Sequence, residues 1–135
     1  MIVADSSFIV EALLSGGDEF LGETFVAPDF AVNEVANAFF VQQHSLHAID
    51  DGRPYVEKLF EAIDAESLSI VTSSQGLVRD AYDIASRRGG SPYDCLFIAL
   101  ALKGNLELKT RDRRQAALYQ AEKSMQGQEE RRPDV

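Results

Sequence analysis

The chain opens on three apolar residues, Ile2-Val3-Ala4, that give way at once to Asp5-Ser6-Ser7, after which Phe8, Ile9, Ala12 and Leu13 recur at helical spacing. A short apolar run, a polar turn and a 3.6-residue period predict strand, turn and helix, closing near Ser15-Gly16-Gly17. Thr24 to Ala27 reads as a second short strand ending at Pro28, and Asp29 is placed to cap a helix through about Gln43. Phe30, Val35, Ala38, Phe39 and Phe40 are among the apolar residues of that helix. His44 to Pro54 is a polar connection, Tyr55, Leu59, Phe60 and Ile63 mark a third helix, and Leu68-Ser69-Ile70-Val71 reads as a strand. Ser73 or Ser74 then starts a helix carrying Leu77, Val78, Ala81, Ile84 and Ala85, stopped by Gly89-Gly90. A helix from Ser91 to Lys103, a strand near Leu106 to Lys109 and a helix from Asp112 to about Lys123 complete the periodic part. Ser124 to Val135 is polar, holds Gly127 and Pro133 and shows no period, so a flexible C-terminal tail is expected there.

Short strands separated by helices predict an α/β sandwich over residues 1–123, with a central, mainly parallel sheet of four or five strands. Right-handed crossovers bring the carboxyl ends of such strands to one edge, and ligands bind in the crevice there. At 135 residues and 45% hydrophobic content the chain suffices for one core. No apolar run approaches the ~20 residues of a membrane span, and the opening lacks the basic segment of a signal peptide. Cys95 is the sole cysteine, which removes an internal disulfide and a cysteine zinc cluster from consideration. A cytoplasmic protein is the expectation.

Charge complicates the picture. Thirteen Lys and Arg against 22 Asp and Glu leave a net charge of −9, which argues against a nucleic-acid partner, because binding to phosphates is dominated by basic side chains. The distribution is uneven: residues 1–86 hold three basic and fifteen acidic side chains, whereas residues 87–135 hold ten basic and seven acidic. Arg87, Arg88, Lys109, Arg111, Arg113 and Arg114 are therefore candidates for a local RNA-binding rim, with an ordinary solvated face as the competing reading.

The candidate chemistry lies in the acids. Asp5 directly follows the first strand and Asp112 follows the last, so parallel strands would bring the two together. Either alone is also a good helix N-cap, worth ~1 kcal/mol. Asp94 stands three residues after the expected cap Ser91, with Pro92 at the first helical position, ahead of the apolar run Cys95 to Leu102 that marks a central helix. A near capping box explains an acid there, and the helix dipole keeps it ionised. Glu34 shares an arc of about 100° with Asn33 and Asn37, interleaved by Phe30 and Val41, a pattern of either a semi-enclosed site or a snorkelling surface Glu. Four carboxylates in one pocket would raise one another's pKa unless a cation neutralised them. Oxygen donors favour Mg²⁺ or Mn²⁺, and the only histidines, His44 and His47, sit in a polar stretch that reads as surface. With no His, Lys or Ser evidently placed as base or nucleophile, metal-assisted hydrolysis of a phosphate ester suits the set.

In this order and spacing the motifs resemble those of the PIN-domain ribonucleases, and in particular the VapC-type toxins of toxin–antitoxin pairs. The resemblance runs from residue 1 to about 122: Ile2-Val3-Ala4-Asp5-Ser6-Ser7, then Ala27-Pro28-Asp29 with Asn33-Glu34-Val35-Ala36-Asn37-Ala38, then Ser91-Pro92-Tyr93-Asp94, then Thr110-Arg111-Asp112. It implies that Asp5, Glu34, Asp94 and Asp112 form a catalytic Mg²⁺ or Mn²⁺ site, supported by Ser7, Thr110 and Asn37. It further implies an RNA substrate, a homodimer and an antitoxin that covers the cleft. Two departures stand out. Arg113-Arg114-Gln115 occupies the place where some members carry a further acid, and the polar tail replaces an apolar closing strand. Competing readings are a housekeeping RNA-processing nuclease, a non-catalytic RNA- or protein-binding module, and a phosphoacceptor receiver domain, whose paired acids and late Lys this order of residues does not reproduce.

Overall fold

The computed structural model describes residues 1–131. Four short parallel strands, β1 (Ile2–Ala4), β2 (Phe25–Pro28), β3 (Leu68–Val71) and β4 (Glu107–Lys109), form one sheet in the order β3-β2-β1-β4. The two central strands read as unbroken apolar runs because both their faces are covered: Val3 and Ala4 are buried in β1, and all four residues of β2 are buried. The helices are α1 (Ser6–Leu14), α2 (Phe30–His44), α3 (Arg53–Asp64), α4 (Gln75–Arg88), α5 (Pro92–Gly104) and α6 (Arg113–Arg131).

The chain steps from β1 to β2 to β3 in one direction, then returns across the sheet to place β4 beside β1. Right-handed crossovers therefore put α1, α2 and α3 on one face and α4 and α5 on the other. The contacts agree: α1, α2 and α3 pack on one another, while α5 packs on β1, β2 and β4 and against α4. Helix α5 is apolar all round because it is the central helix of its layer, and Cys95 through Ala99 are buried, with Cys95 simply part of this packing. The strand order reverses between β1 and β4, which is where an open α/β sheet splays its loops and offers a crevice.

Local chemistry sets most boundaries as the sequence predicts. Asp5, Asp29, Ser74 and Ser91 cap α1, α2, α4 and α5, each accepting a hydrogen bond from a backbone N–H. Two differences involve packing. Helix α3 starts at Arg53, inside the expected polar connection, with Pro54 in its first turn, and Gly52 before it lies against Phe39, where an added Cβ would stand 3.0 Å from the Phe39 carbonyl oxygen. A 3-10 turn at Asp18–Phe20, absent from the hydropathy pattern, tucks Phe20 edge-on against Phe25 at 5.6 Å.

The C-terminal tail is corrected. Instead of ending near Lys123, α6 continues to Arg131. Met, Gln, Glu and Lys are good helix formers, and Gly127 costs about 1 kcal/mol without breaking the helix. The extension also has a tertiary contact: Met125 Sδ lies 4.0 Å from Arg88 Nη2. Residues 132–135 of the expected tail, with Pro133, lie outside the described residues. No helix among the described residues is long and apolar enough to cross a membrane.

Candidate active site

The reversal between β1 and β4 is sewn together by side chains. The Asp5 N–H donates to the Lys109 carbonyl oxygen at 3.1 Å, tying the end of β1 to β4. Asp5 Oδ1 accepts from the Phe8 N–H at 3.0 Å and the Ser7 hydroxyl at 2.7 Å, and Oδ2 accepts from the Thr110 hydroxyl. The Ser7 and Thr110 oxygens in turn accept the N–H groups of Arg111 (2.9 Å) and Asp112 (3.0 Å), so the turn after β4 is held against the first turn of α1. Asp5 is thus a helix cap and the hub of a network.

Asp112 Oδ1 accepts the N–H groups of Arg114 and Gln115 at 2.9 and 3.2 Å, capping α6. Gln115 has the spacing of a capping-box partner, three residues after the cap, but its side chain does not turn back. Its Nε2 donates instead to the Asp94 carbonyl oxygen at 2.7 Å, binding α6 to the first turn of α5. Glu34 comes from the middle of α2. A cavity of about 210 Å³ is lined by Asp5, Ser6, Ser7, Glu34, Asp94, Phe97, Asp112 and Gln115. Four acids spread over 108 positions of the chain meet in it, and among the described residues no basic side chain joins the lining.

The electrostatics are graded. Asp5 is buried, Glu34 is half-buried, and Asp94 and Asp112 are exposed. Burial pushes the Asp5 carboxyl above its ordinary value, against the opposing pull of the Thr110, Ser7 and Phe8 hydrogen bonds, and the Asp112 charge pushes further up. Burial likewise raises the Glu34 carboxyl, with Asp94 and Asp5 adding to it and the nearby Ser6 hydroxyl easing it. Ser6 Oγ is buried without a formed hydrogen bond among the described residues. The lining is therefore rich in oxygen donors, short of positive charge and under mutual repulsion.

That donor set fits a hard divalent cation. Among the described residues no three His, Cys, Asp or Glu side chains already stand as a coordinating cluster. Mg²⁺ does not require one, since it keeps several of its waters and takes one or two carboxylates directly. Both Asp5 oxygens are engaged by donors, which leaves the freer Glu34, Asp94 and Asp112 carboxylates the greater freedom to approach an ion.

The structure brings together the four predicted acids, with Ser7 beside them and Thr110 behind Asp5. Other predicted residues go elsewhere. Asn37 is exposed and does not line the cavity. Arg87 and Arg88, expected in an RNA-binding rim, pair with Glu122 at 3.0 and 2.9 Å, because a buried carboxylate attracts the available guanidinium groups. Arg114 donates to the Gly89 carbonyl oxygen at 2.9 Å, and Lys109 stands 3.7 Å from Glu107. Arg111 pairs with Glu11 and Glu19 at 3.4 and 3.6 Å and lies over the Phe8 ring. It lines a groove that shares Ser6, Ser7 and Glu34 with the carboxylate cavity. Arg113 is exposed. Ser6 and Gln115 were missed as site residues, although Asp112-x-x-Gln115 is a readable capping-box spacing.

The chain belongs to the PIN domain family, which matches it over residues 2–121. The fold is also similar to that of PAE2754 from Pyrobaculum aerophilum, with a TM-score of 0.68 and 19% identity over 87% of this chain and 83% of that one. No curated protein matches the sequence. PIN domains are generally nucleases and usually bind divalent metals.

Proposed function

We propose that this protein is a Mg²⁺- or Mn²⁺-dependent endoribonuclease, and the toxin of a toxin–antitoxin pair. The observation that supports this reading above all is the convergence of Asp5, Glu34, Asp94 and Asp112 on one cavity that, among the described residues, is lined by no Lys, Arg or His. Uncompensated like charges are costly, and a chain that gathers them from four segments gains by binding a cation.

In this reading Glu34, Asp94 and Asp112 would hold the ion, while Asp5, both of whose oxygens are engaged by donors, would supply fixed negative charge beside it. Ser7, Thr110 and the Phe8 N–H hold Asp5. Gln115 keeps the first turn of α5, and with it Asp94, in register with α6. A bound ion would offset negative charge on a phosphoryl oxygen and lower the pKa of a water, favouring its attack on phosphorus as the P–O bond to the leaving oxygen breaks. The exposed side of the pocket, bordered by Asp94 and Asp112, admits the phosphodiester. Arg111, in the groove that adjoins Glu34, offers the RNA backbone a cation. A cognate antitoxin and a second copy of the chain complete the partner set.

Purified protein is expected to cleave RNA with Mg²⁺ or Mn²⁺ and to stop with a chelator, and Asp94→Asn to lose cleavage while remaining folded. Equal cleavage by wild type and Asp94→Asn overturns the mechanism. For the toxin role, expression is expected to arrest growth, with relief by the product of a short reading frame immediately upstream. Growth unaffected by an actively cleaving protein overturns that role and leaves the nuclease.

A further inference from the structure

Beside the carboxylates lies an aromatic pair, Phe30 packed against the margin of the core and Tyr93 largely outside it, that the catalytic reading does not use. Phe30 and Tyr93 stack with ring centroids 4.7 Å apart and planes inclined by only 16°. Phe30 opens α2, one helical turn before Glu34 and on the same side of the helix; Tyr93 lies in the first turn of α5, immediately before Asp94. The pair therefore bridges the two helices that carry two of the acids.

Tyr93 is 60% exposed. One face is covered by Phe30, and most of the remainder is open to water. A ring left this far in solvent adds little to the core, since the favourable part of an aromatic side chain is its buried area. Its contact with Phe30 still holds it in place, so a second flat partner finds the ring already oriented and has little rotamer freedom to remove. Nucleobases are such partners: they stack on aromatic rings at ~1–3 kcal/mol per base, and the stacking tolerates any sequence because every base has a π-face.

We propose that Tyr93, braced by Phe30, is a positioning residue that stacks on an unpaired base of the RNA substrate next to the scissile phosphate. The inference rests on the nuclease reading for its substrate and narrows it to RNA that is single-stranded at the cut. Within a duplex both faces of a base are already covered by its neighbours, and side chains reach stacked bases in RNA mainly in loops, bulges and ends. Stacking also gives an acidic protein a source of RNA affinity that needs no extra cations.

The test uses a single-stranded oligoribonucleotide carrying 2-aminopurine, whose fluorescence falls when the base stacks. Ca²⁺ replaces Mg²⁺ to favour binding over cleavage, and Mg²⁺ kinetics are run on the same sequence. Wild type and Tyr93→Phe are expected to quench the probe; Tyr93→Ala is expected to lose the quench and to raise KM roughly ten-fold with kcat at saturation little changed. Tyr93→Trp is expected to match or exceed wild type, and a hairpin stem of the same sequence to bind worse than the open strand. Tyr93→Ala with wild-type quenching and KM overturns the proposal, even if Asp94→Asn shows the chain to be a nuclease. Tyr93-dependent quenching by a protein that cleaves nothing in Mg²⁺ or Mn²⁺ upholds the platform and overturns the nuclease reading instead.

Discussion

Two regions of this molecule hold buried or half-buried carboxylates, and they treat them in opposite ways. On α6, Glu122 is 2% exposed and accepts hydrogen bonds from Arg87 and Arg88, three contacts between 2.9 and 3.3 Å. Burial opposes its ionisation, but the two arginines outweigh it and hold the carboxyl below the ordinary range. At the β1–β4 reversal, Asp5 and Glu34 are pushed above that range, because burial and neighbouring acids act without a cation in the lining. One region is satisfied by the fold itself and serves to fasten α4 to α6. The other is left in want of positive charge, which is the mark of a site whose partner comes from outside.

The sharpest way to break this contrast is to neutralise one acid in each region. Asp94→Asn is expected to lower RNA cleavage by at least about 100-fold, the upper end of what losing even an outer partner of a metal ligand costs. Its unfolding midpoint should stay at or above that of wild type. A smaller effect of about 10- to 100-fold is expected from Thr110→Val, which removes one of the donors that hold Asp5. Because that hydrogen bond lowers the Asp5 carboxyl, its loss raises it further, and the acid limb of the pH–rate profile should move to higher pH.

Glu122→Ala tests the other region and should leave cleavage nearly intact while costing about 2 kcal/mol in urea unfolding. The loss stays below that of a wholly buried pair because the Arg87 side chain is 46% exposed and can be solvated. Since the folded carboxyl of Glu122 is depressed, its contribution is present above the ordinary unfolded value and is lost as pH falls through the folded value. An activity loss in Glu122→Ala as large as in Asp94→Asn would erase the distinction between the regions.

The smallest effect carries the opposite sign. Glu34 is raised in the folded state, so the stability linked to it is fullest below its ordinary value and is lost as pH rises through the raised one. Glu34→Gln is therefore expected to melt a few degrees higher than wild type at pH 7, and the difference should shrink in acid. Millimolar Mg²⁺ should raise the wild-type midpoint and raise that of Glu34→Gln less, as mass action on a bound ion requires.

How much of this was readable along the chain differs residue by residue. The Asp5 cap, the Ser91 cap and the all-apolar α5 follow from spacing alone, because capping and helical periodicity act within a few residues. Asp112 and Gln115 could be read as cap and partner, but not the turn of the Gln115 amide toward Asp94, since that choice depends on where α5 packs. The arginines were the least legible. Arg87 and Arg88 lie 35 and 34 residues from Glu122, and nothing local marks which acid will receive them.

By itself the sequence determined the alternation of strands and helices, the caps that start them and the set of acids that fall after strands or at helix starts. These depend on backbone hydrogen bonding and on hydrophobic periods a few residues long. Only the tertiary structure decided which charges meet. It placed four acids in a pocket without a counter-charge, sent two expected RNA-binding arginines to a buried Glu122, and left Tyr93 stacked and open beside Asp94. The reason is physical: charge pairing and desolvation are set by distances in space, and in a parallel sheet those distances follow the order of strands rather than the order of residues.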